Sequence, residues 1–171
     1  SSTILTLSTM IIFRGFAYTI LQDQSVGNFP KWFSYLGWGK IGEIPFILIV
    51  FLVFALMFGI ILHKTVFGRR VYAMGNNVTA SEFSGIKVNK IKVLIFALGG
   101  LMAAVSAIFL TSKMGSTRPN IASGYELEVI AMVVLGGIST AGGKGRMIGA
   151  VISIFIIGFL AGILVILLYN N

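Results

Sequence analysis

Gly68–Lys92 reads GRRVYAMGNNVTASEFSGIKVNKIK. It is the longest polar, basic interval in an otherwise apolar chain, with Arg69, Arg70, Lys87, Lys90 and Lys92 set against one acid, Glu82. Uncharged runs flank it, Ile44–Leu62 before and Val93–Ser112 after. About 20 consecutive apolar residues cross a bilayer core, so the interval is a loop between two membrane spans. From Lys64 to Lys92 it carries six basic residues and one acid, whereas the intervals Asp23–Glu43 and Lys113–Glu128 are balanced. Positive charge stays on the cytoplasmic side. The basic loop is therefore cytoplasmic, the two balanced loops are external, and the spans alternate in direction between them.

Outward from that loop, the chain reads as a series of helices. Ser1–Leu21 is apolar apart from Arg14 and reads as a span or part of one. Asp23–Glu43 mixes Gly27, Pro30, Gly37, Gly39 and Gly42 with Trp32, Phe33, Tyr35 and Trp38, the pattern of an interfacial loop. Ile44–Leu62 is the second span, with Pro45 at its start, where a missing N–H costs nothing. Val93–Ser112 is the third, and Gly99, Ala103 and Ala107 give it a small-residue stripe for close helix packing. Leu127–Thr140 is apolar but short, and it either spans or re-enters. Non-helical backbone at membrane depth is tolerated only where protein or water satisfies it. The segment runs into GGISTAGGKGR, where Lys144 and Arg146 suggest a cytoplasmic turn. Met147–Leu168 is the last span, with Gly158 and Gly162 in a GxxxG pattern. The expected fold is all-α: a polytopic transmembrane protein with about five spanning or partly spanning helices. Residues 1–171 form one transmembrane domain with a cytoplasmic loop at about 63–92. The chain opens directly in an apolar segment, so it is expected to begin inside a helix and to be a piece of a longer protein.

Composition excludes several functions. The chain is 57% hydrophobic and only 11% charged, with mean hydropathy +0.98, against about a quarter charged in soluble domains. It has no cysteine and one histidine, His63, so thiolate chemistry, a multi-histidine metal centre and a Ser-His-Asp triad are all improbable. The net charge of +8 sits beside spans rather than among stacking aromatics, which argues for topology and against nucleic acid. GGISTAGGKGR is not a phosphate cradle. The P-loop pattern would need glycine where Ile138 stands and Ser or Thr where Gly145 stands. Its glycines read instead as a tight turn with positive φ and close packing. No carboxylate pair or activated nucleophile is present, and an enzyme is not expected.

Other polar features each carry two readings. Asn76, Asn77 and Thr79 are candidate caps for a short helix at Thr79–Phe83, with Gly85 as its stop. That helix either docks in a groove on a soluble partner or belongs to a solvated loop that only anchors topology. Arg14 reads equally as pathway lining or as an anchor that snorkels outward. Glu126 and Glu128 complement a helix dipole or receive an external docking protein. His63 and Lys64 end a span as interface anchors. The functions left open are a transporter subunit, a self-contained secondary carrier or channel, and a membrane scaffold.

Three motifs then match a known family. GRRVYAMGNN at 68–77, ASEFSGIKVNKIKV at 80–93 and GYELEVIAMVVLGGISTAGGKGR at 124–146, in this order and spacing, resemble the permease subunits of bacterial ABC importers for monosaccharides, the ribose-type permeases most nearly. The likeness runs from TLSTMIIFRG at 6–15 to the last span. It implies a multi-pass protein of the bacterial cytoplasmic membrane without a cofactor of its own. Its implied partners are a cytoplasmic ATPase subunit, a periplasmic or lipid-anchored sugar-binding protein, a second permease copy or similar permease, and the surrounding lipid. The resemblance puts the ATPase-coupling segment at Gly75, Asn77, Ala80, Ser81, Glu82, Ser84, Gly85 and Ile86. Relatives often have Gly-Gly-Asn and then Glu-Ala-Ala here, and Asn76, Val78 and Thr79 replace part of that. Apart from the resemblance, Arg14, Glu126, Gly136, Gly137, Gly142 and Gly143 are candidates for pathway or gating roles. The resemblance also implies that the chain is about the C-terminal half of a permease, trimmed at both ends, with Tyr169–Asn171 outside. The substrate stays open among ribose, other pentoses or hexoses, rhamnose and autoinducer-2.

Overall fold

The structure, a computed structural model, describes residues 2–22 and 24–169. The part of Asp23 in the first external loop and the placement of Asn170 and Asn171 lie outside the described residues. The elements run α1 (Ser2–Leu21), β1 (Val26–Gly27), α2 (Lys31–Trp38), β2 (Lys40–Ile41), β3 (Ile44–Pro45), α3 (Phe46–Lys64), α4 (Val66–Asn76), α5 (Val78–Phe83), α6 (Val88–Met114), β4 (Ser116–Thr117), α7 (Tyr125–Leu135) and α8 (Met147–Tyr169). The strands are two-residue antiparallel bridges, β1 with β4 and β2 with β3, so the fold is all-α. Four helices, α1, α3, α6 and α8, are long and apolar enough to cross a membrane.

Two elements depart from the sequence reading. The external loop contains the helix α2, which starts after Pro30, a residue whose fixed φ suits a helix start. The basic loop is mostly helical: α4 occupies its first half, and α6 begins at Val88, five residues before the uncharged run. A helix partners its own backbone N–H and C=O groups whatever the side chains.

The described residues cluster into two compact units. The first holds the residues through Ile49 together with Leu101–Ser123. Within it α2 lies against the end of α6. A Cβ on Gly37 would sit 2.5–2.7 Å from the backbone of Ser112 and Lys113, so only glycine permits this approach. Ser112, 1% exposed, accepts from the Gly37 N–H at 2.8 Å and donates to the Phe33 carbonyl. The Trp38 indole N–H donates to the Lys113 carbonyl at 2.9 Å. Phe46 continues the seam, with ring centroids 5.8 Å from Tyr35 and 6.3 Å from Phe109.

The second unit holds Val50–Gly100 and the residues from Gly124 onward. Its α7 has 11 residues, about 16 Å at 1.5 Å per residue, roughly half a bilayer core. It packs on α8 through Gly136 and Gly149. A Cβ on Gly149 would collide with the Gly136 carbonyl, and one on Gly136 would lie 2.8 Å from the Gly149 carbonyl. Ser153, 2% exposed, points its hydroxyl at the Met132 carbonyl, 2.6 Å away, and at Ala150 O, 2.8 Å away. Gly158 and Gly162 of the GxxxG pattern, and Gly99 of the α6 stripe, meet nothing within 4 Å among the described residues. Large apolar side chains such as Leu56, Leu101, Phe159 and Leu164 stay exposed, as expected where lipid is the solvent.

Candidate functional site

The site is built from the end of α3 outward. Thr65 closes that helix by donating to the Ile61 carbonyl at 2.6 Å, and it caps α4 by accepting from the Gly68 N–H at 3.3 Å. Gly68 is buried, and a Cβ there would strike the Leu62 carbonyl. Threonine and glycine three residues apart thus set the sharp corner between α3 and α4.

Asn77 alone joins α4 to α5. Its N–H bonds to the Ala73 carbonyl at 3.1 Å, its side chain accepts from the Ala80 N–H at 3.0 Å, and its carbonyl accepts from Ser81 Oγ at 2.8 Å. Of the three candidate caps, Asn77 caps α5, while Asn76 ends α4 and Thr79 lies inside α5. Ser84 closes α5 by donating to Ala80 O at 2.9 Å. Gly85 has φ +79°, a conformation that costs other L-residues. The Ile86 N–H returns to Ser81 O at 3.0 Å. The result is a rigid two-helix corner.

Its faces are distinct. Ser81 is 4% exposed and serves the interior, with Val88 and Ile91 as the buried apolar residues. Ala80, Glu82, Ser84 and Gly85 face out. Phe83, which the sequence reading left aside, is 90% exposed. An apolar ring so exposed on a six-residue helix, with Lys87, Lys90 and Lys92 following it in sequence, is the most conspicuous feature of the corner.

The other side of the corner meets the glycine turn. A Cβ on Gly75 would run into the Gly143 nitrogen, and one on Gly143 into the Asn76 side chain. The turn bends as glycine allows, with φ +76° at Gly137, +96° at Gly142, +73° at Gly143 and +151° at Gly145. The Tyr72 hydroxyl donates to the Gly145 carbonyl at 2.7 Å. The His63 ring stacks on Tyr72, with centroids 6.1 Å apart and planes at 27°, and His63 Nε2 accepts from the Met147 N–H at 3.4 Å. So the segment after α7 continues as irregular backbone as far as α4. A cavity of about 640 Å³ adjoins the contact, lined by Tyr72, Gly136, Lys144, Arg146 and Ile148 among others.

Of the expected coupling residues, Gly75 lies on α4, Asn77 at the joint, Ala80, Ser81 and Glu82 on α5, and Ser84, Gly85 and Ile86 in the connection to α6; Gly136 ends α7, and Gly137, Gly142 and Gly143 belong to the turn that follows it. Arg14 lies in the first unit, where its Nη1 donates to Ser123 Oγ at 3.4 Å. Glu126 and Glu128 stand in the first turn of α7, where a carboxylate complements the helix dipole. Sequence reasoning missed Tyr72 and treated His63 as an interface anchor. No sequence signal marked the pair, because their contact depends on the corner between α3 and α4. Among the described residues no cluster of His, Cys, Asp or Glu could hold a metal ion.

Comparison with known proteins gives a consistent result. A family model described as branched-chain amino acid transport system / permease component matches residues 1–171. The ribose import permease protein RbsC of Bacillus subtilis is 41% identical over 159 residues, covering 92% of this chain and 49% of the relative. RbsC of Escherichia coli is 39% identical over 161 residues, 92% of this chain and 50% of the relative. The L-arabinose transport system permease protein AraH of Escherichia coli is 40% identical over 155 residues, 91% and 47% respectively. The chain spans about half the length of the curated relatives it matches. No solved structure matches it.

Proposed function

Because the chain belongs to the branched-chain amino acid transport system / permease component family, we propose that it is part of the membrane subunit of an ATP-driven ABC importer for a monosaccharide. It is a multi-pass membrane protein and a transport component rather than an enzyme. On this reading it lies in the bacterial cytoplasmic membrane and forms part of a passive pathway whose energy comes from a separate ATPase subunit. A sugar-binding protein outside delivers the substrate, and a second permease copy or similar permease completes the pathway. The similarity to ribose and L-arabinose permeases supports a pentose-like sugar.

The observation that carries the reading is the α4–α5 corner. A solvated loop that only anchored topology would not need a buried Ser81, a capped Asn77 joint and a Phe83 ring left 90% exposed. A docking helix needs all three: rigidity to transmit displacement, and an apolar anchor within a basic rim for a groove on the ATPase. The ATPase shifts the equilibrium between transport states by contacting the corner differently in each.

The test uses the full-length permease in detergent. An ATPase subunit should co-purify with it, and deleting Val78–Gly85 should abolish that association while leaving membrane insertion intact. An intact association after the deletion would move the docking site elsewhere. No associated ATPase, with solute flux still present in vesicles, would make the protein an independent carrier or channel.

A further inference from the structure

We propose that Tyr72 and His63 are positioning residues that carry displacement of the α4–α5 corner into the glycine turn and the start of α8. The inference rests on the coupling role of that corner and adds where the displacement goes next. Three contacts within the second unit join the pieces. The Tyr72 hydroxyl holds the Gly145 carbonyl at 2.7 Å. His63, stacked on Tyr72, takes the first N–H of α8 through Nε2. Gly75 and Gly143 let the backbones of α4 and the turn touch, and the Asn76 side chain lies against Gly143.

What lies beyond the contact makes it a relay rather than a brace. The turn leads directly into α8, and α8 is bound to α7 by the Gly136–Gly149 approach and the Ser153 hydroxyl. The α7–α8 hairpin therefore moves as one body when its turn is pulled. Packed cores are bistable rather than continuously deformable, so small shifts at such a joint become discrete rearrangements. The cavity of about 640 Å³ beside Tyr72, Gly136 and Ile148 gives the turn somewhere to go. Glycines with positive φ at 137, 142, 143 and 145 supply the backbone freedom to go there. Lys144 and Arg146 are exposed, so the movement drags no buried charge.

The chain has no cysteine, which allows a single spin label on the turn. In a cysteine-free, full-length permease bound to its ATPase subunit, Ala141→Cys would carry the label. Its spectrum would be recorded without nucleotide and after trapping with ATP and vanadate. The relay predicts a clear difference between the two states. It further predicts that Tyr72→Phe, which keeps the ring and drops the hydroxyl, shrinks that difference. His63→Phe, which keeps the stacking surface and drops the acceptor, should do the same. Loss of one hydrogen bond shifts an equilibrium between two states by about twofold to tenfold, so the difference should be visibly smaller in each variant. ATPase association and vanadate trapping should stay unchanged. A purely structural role would lower thermal stability without altering the nucleotide response. A full-sized response in both variants would overturn the relay, as would a wild-type label blind to nucleotide while the ATPase is bound. Failure of any ATPase to bind the wild-type protein is a different result: it removes the coupling reading itself, and the relay with it.

Discussion

In the first unit α2 rests on the end of α6 because Gly37 lacks a side chain and the Ser112 hydroxyl meets two backbone groups of α2. In the second unit α4 rests on the glycine turn because Gly75 and Gly143 lack side chains and the Tyr72 hydroxyl meets a backbone carbonyl. The devices are the same: a missing side chain lets two backbones approach, and one hydroxyl partners backbone groups that the approach brings within reach. The surroundings differ. Ser112 is 1% exposed and sits beside the Tyr35, Phe46 and Phe109 rings that extend its seam. Tyr72 is half-buried and borders a cavity. On the relay proposed above, the first seam acts as a staple and the second as a joint.

That contrast is open to direct attack. The largest effect should come from Gly37→Leu. Its Cβ alone would enter the Ser112–Lys113 backbone, and overpacking of this kind costs about 3 kcal/mol or more. The full-length variant should show a markedly lower melting temperature in detergent by scanning fluorimetry at a fixed scan rate. A melting temperature equal to wild type would mean that α2 is not stapled at all. Ser112→Ala should come next. It leaves the Gly37 N–H and the Phe33 carbonyl without their partner, at a cost of about 1–3 kcal/mol. If the first seam is only a staple, this variant melts earlier while the nucleotide response of a label on the turn stays intact. A lost nucleotide response would put the first seam in the coupling path as well and erase the distinction. The smallest effect on stability should be that of Phe83→Ala, within about 0.5 kcal/mol, as for an exposed side chain. The same variant should weaken ATPase co-purification, measured as the amount of ATPase retained per permease. Retention at the wild-type level would remove Phe83 as the anchor and shift attention to Ala80 and Glu82.

Much of this was legible before any coordinates. The uncharged runs gave the four long helices to within a few residues, because a bilayer core demands about 20 apolar residues and tolerates few charges. Gly85 and Asn77 were readable as a stop and a candidate cap because those roles depend on local backbone geometry. The helices inside the polar intervals were not readable. Lys31–Trp38 carries interfacial aromatics and a glycine, and Val66–Asn76 carries two arginines and two glycines, so composition pointed to loops in both cases. The small-residue stripes did not reveal which glycines make the close contacts among the described residues. Gly158 and Gly162 fit a packing pattern yet touch nothing among the described residues, while Gly136 and Gly149, 13 positions apart and in no pattern, make the close contact. A stripe marks a surface that permits approach and does not say which helix arrives.

The sequence by itself determined the class, the spans and the family, because these depend on hydropathy and motif order, which are local or additive along the chain. Only the tertiary structure decided which polar groups meet. Ser112 and Gly37 are 75 residues apart, and Tyr72 and Gly145 are 73 apart. A serine in an apolar run or a tyrosine in a basic loop has many carbonyls that could satisfy it. Which one it finds is settled by the packing of the elements.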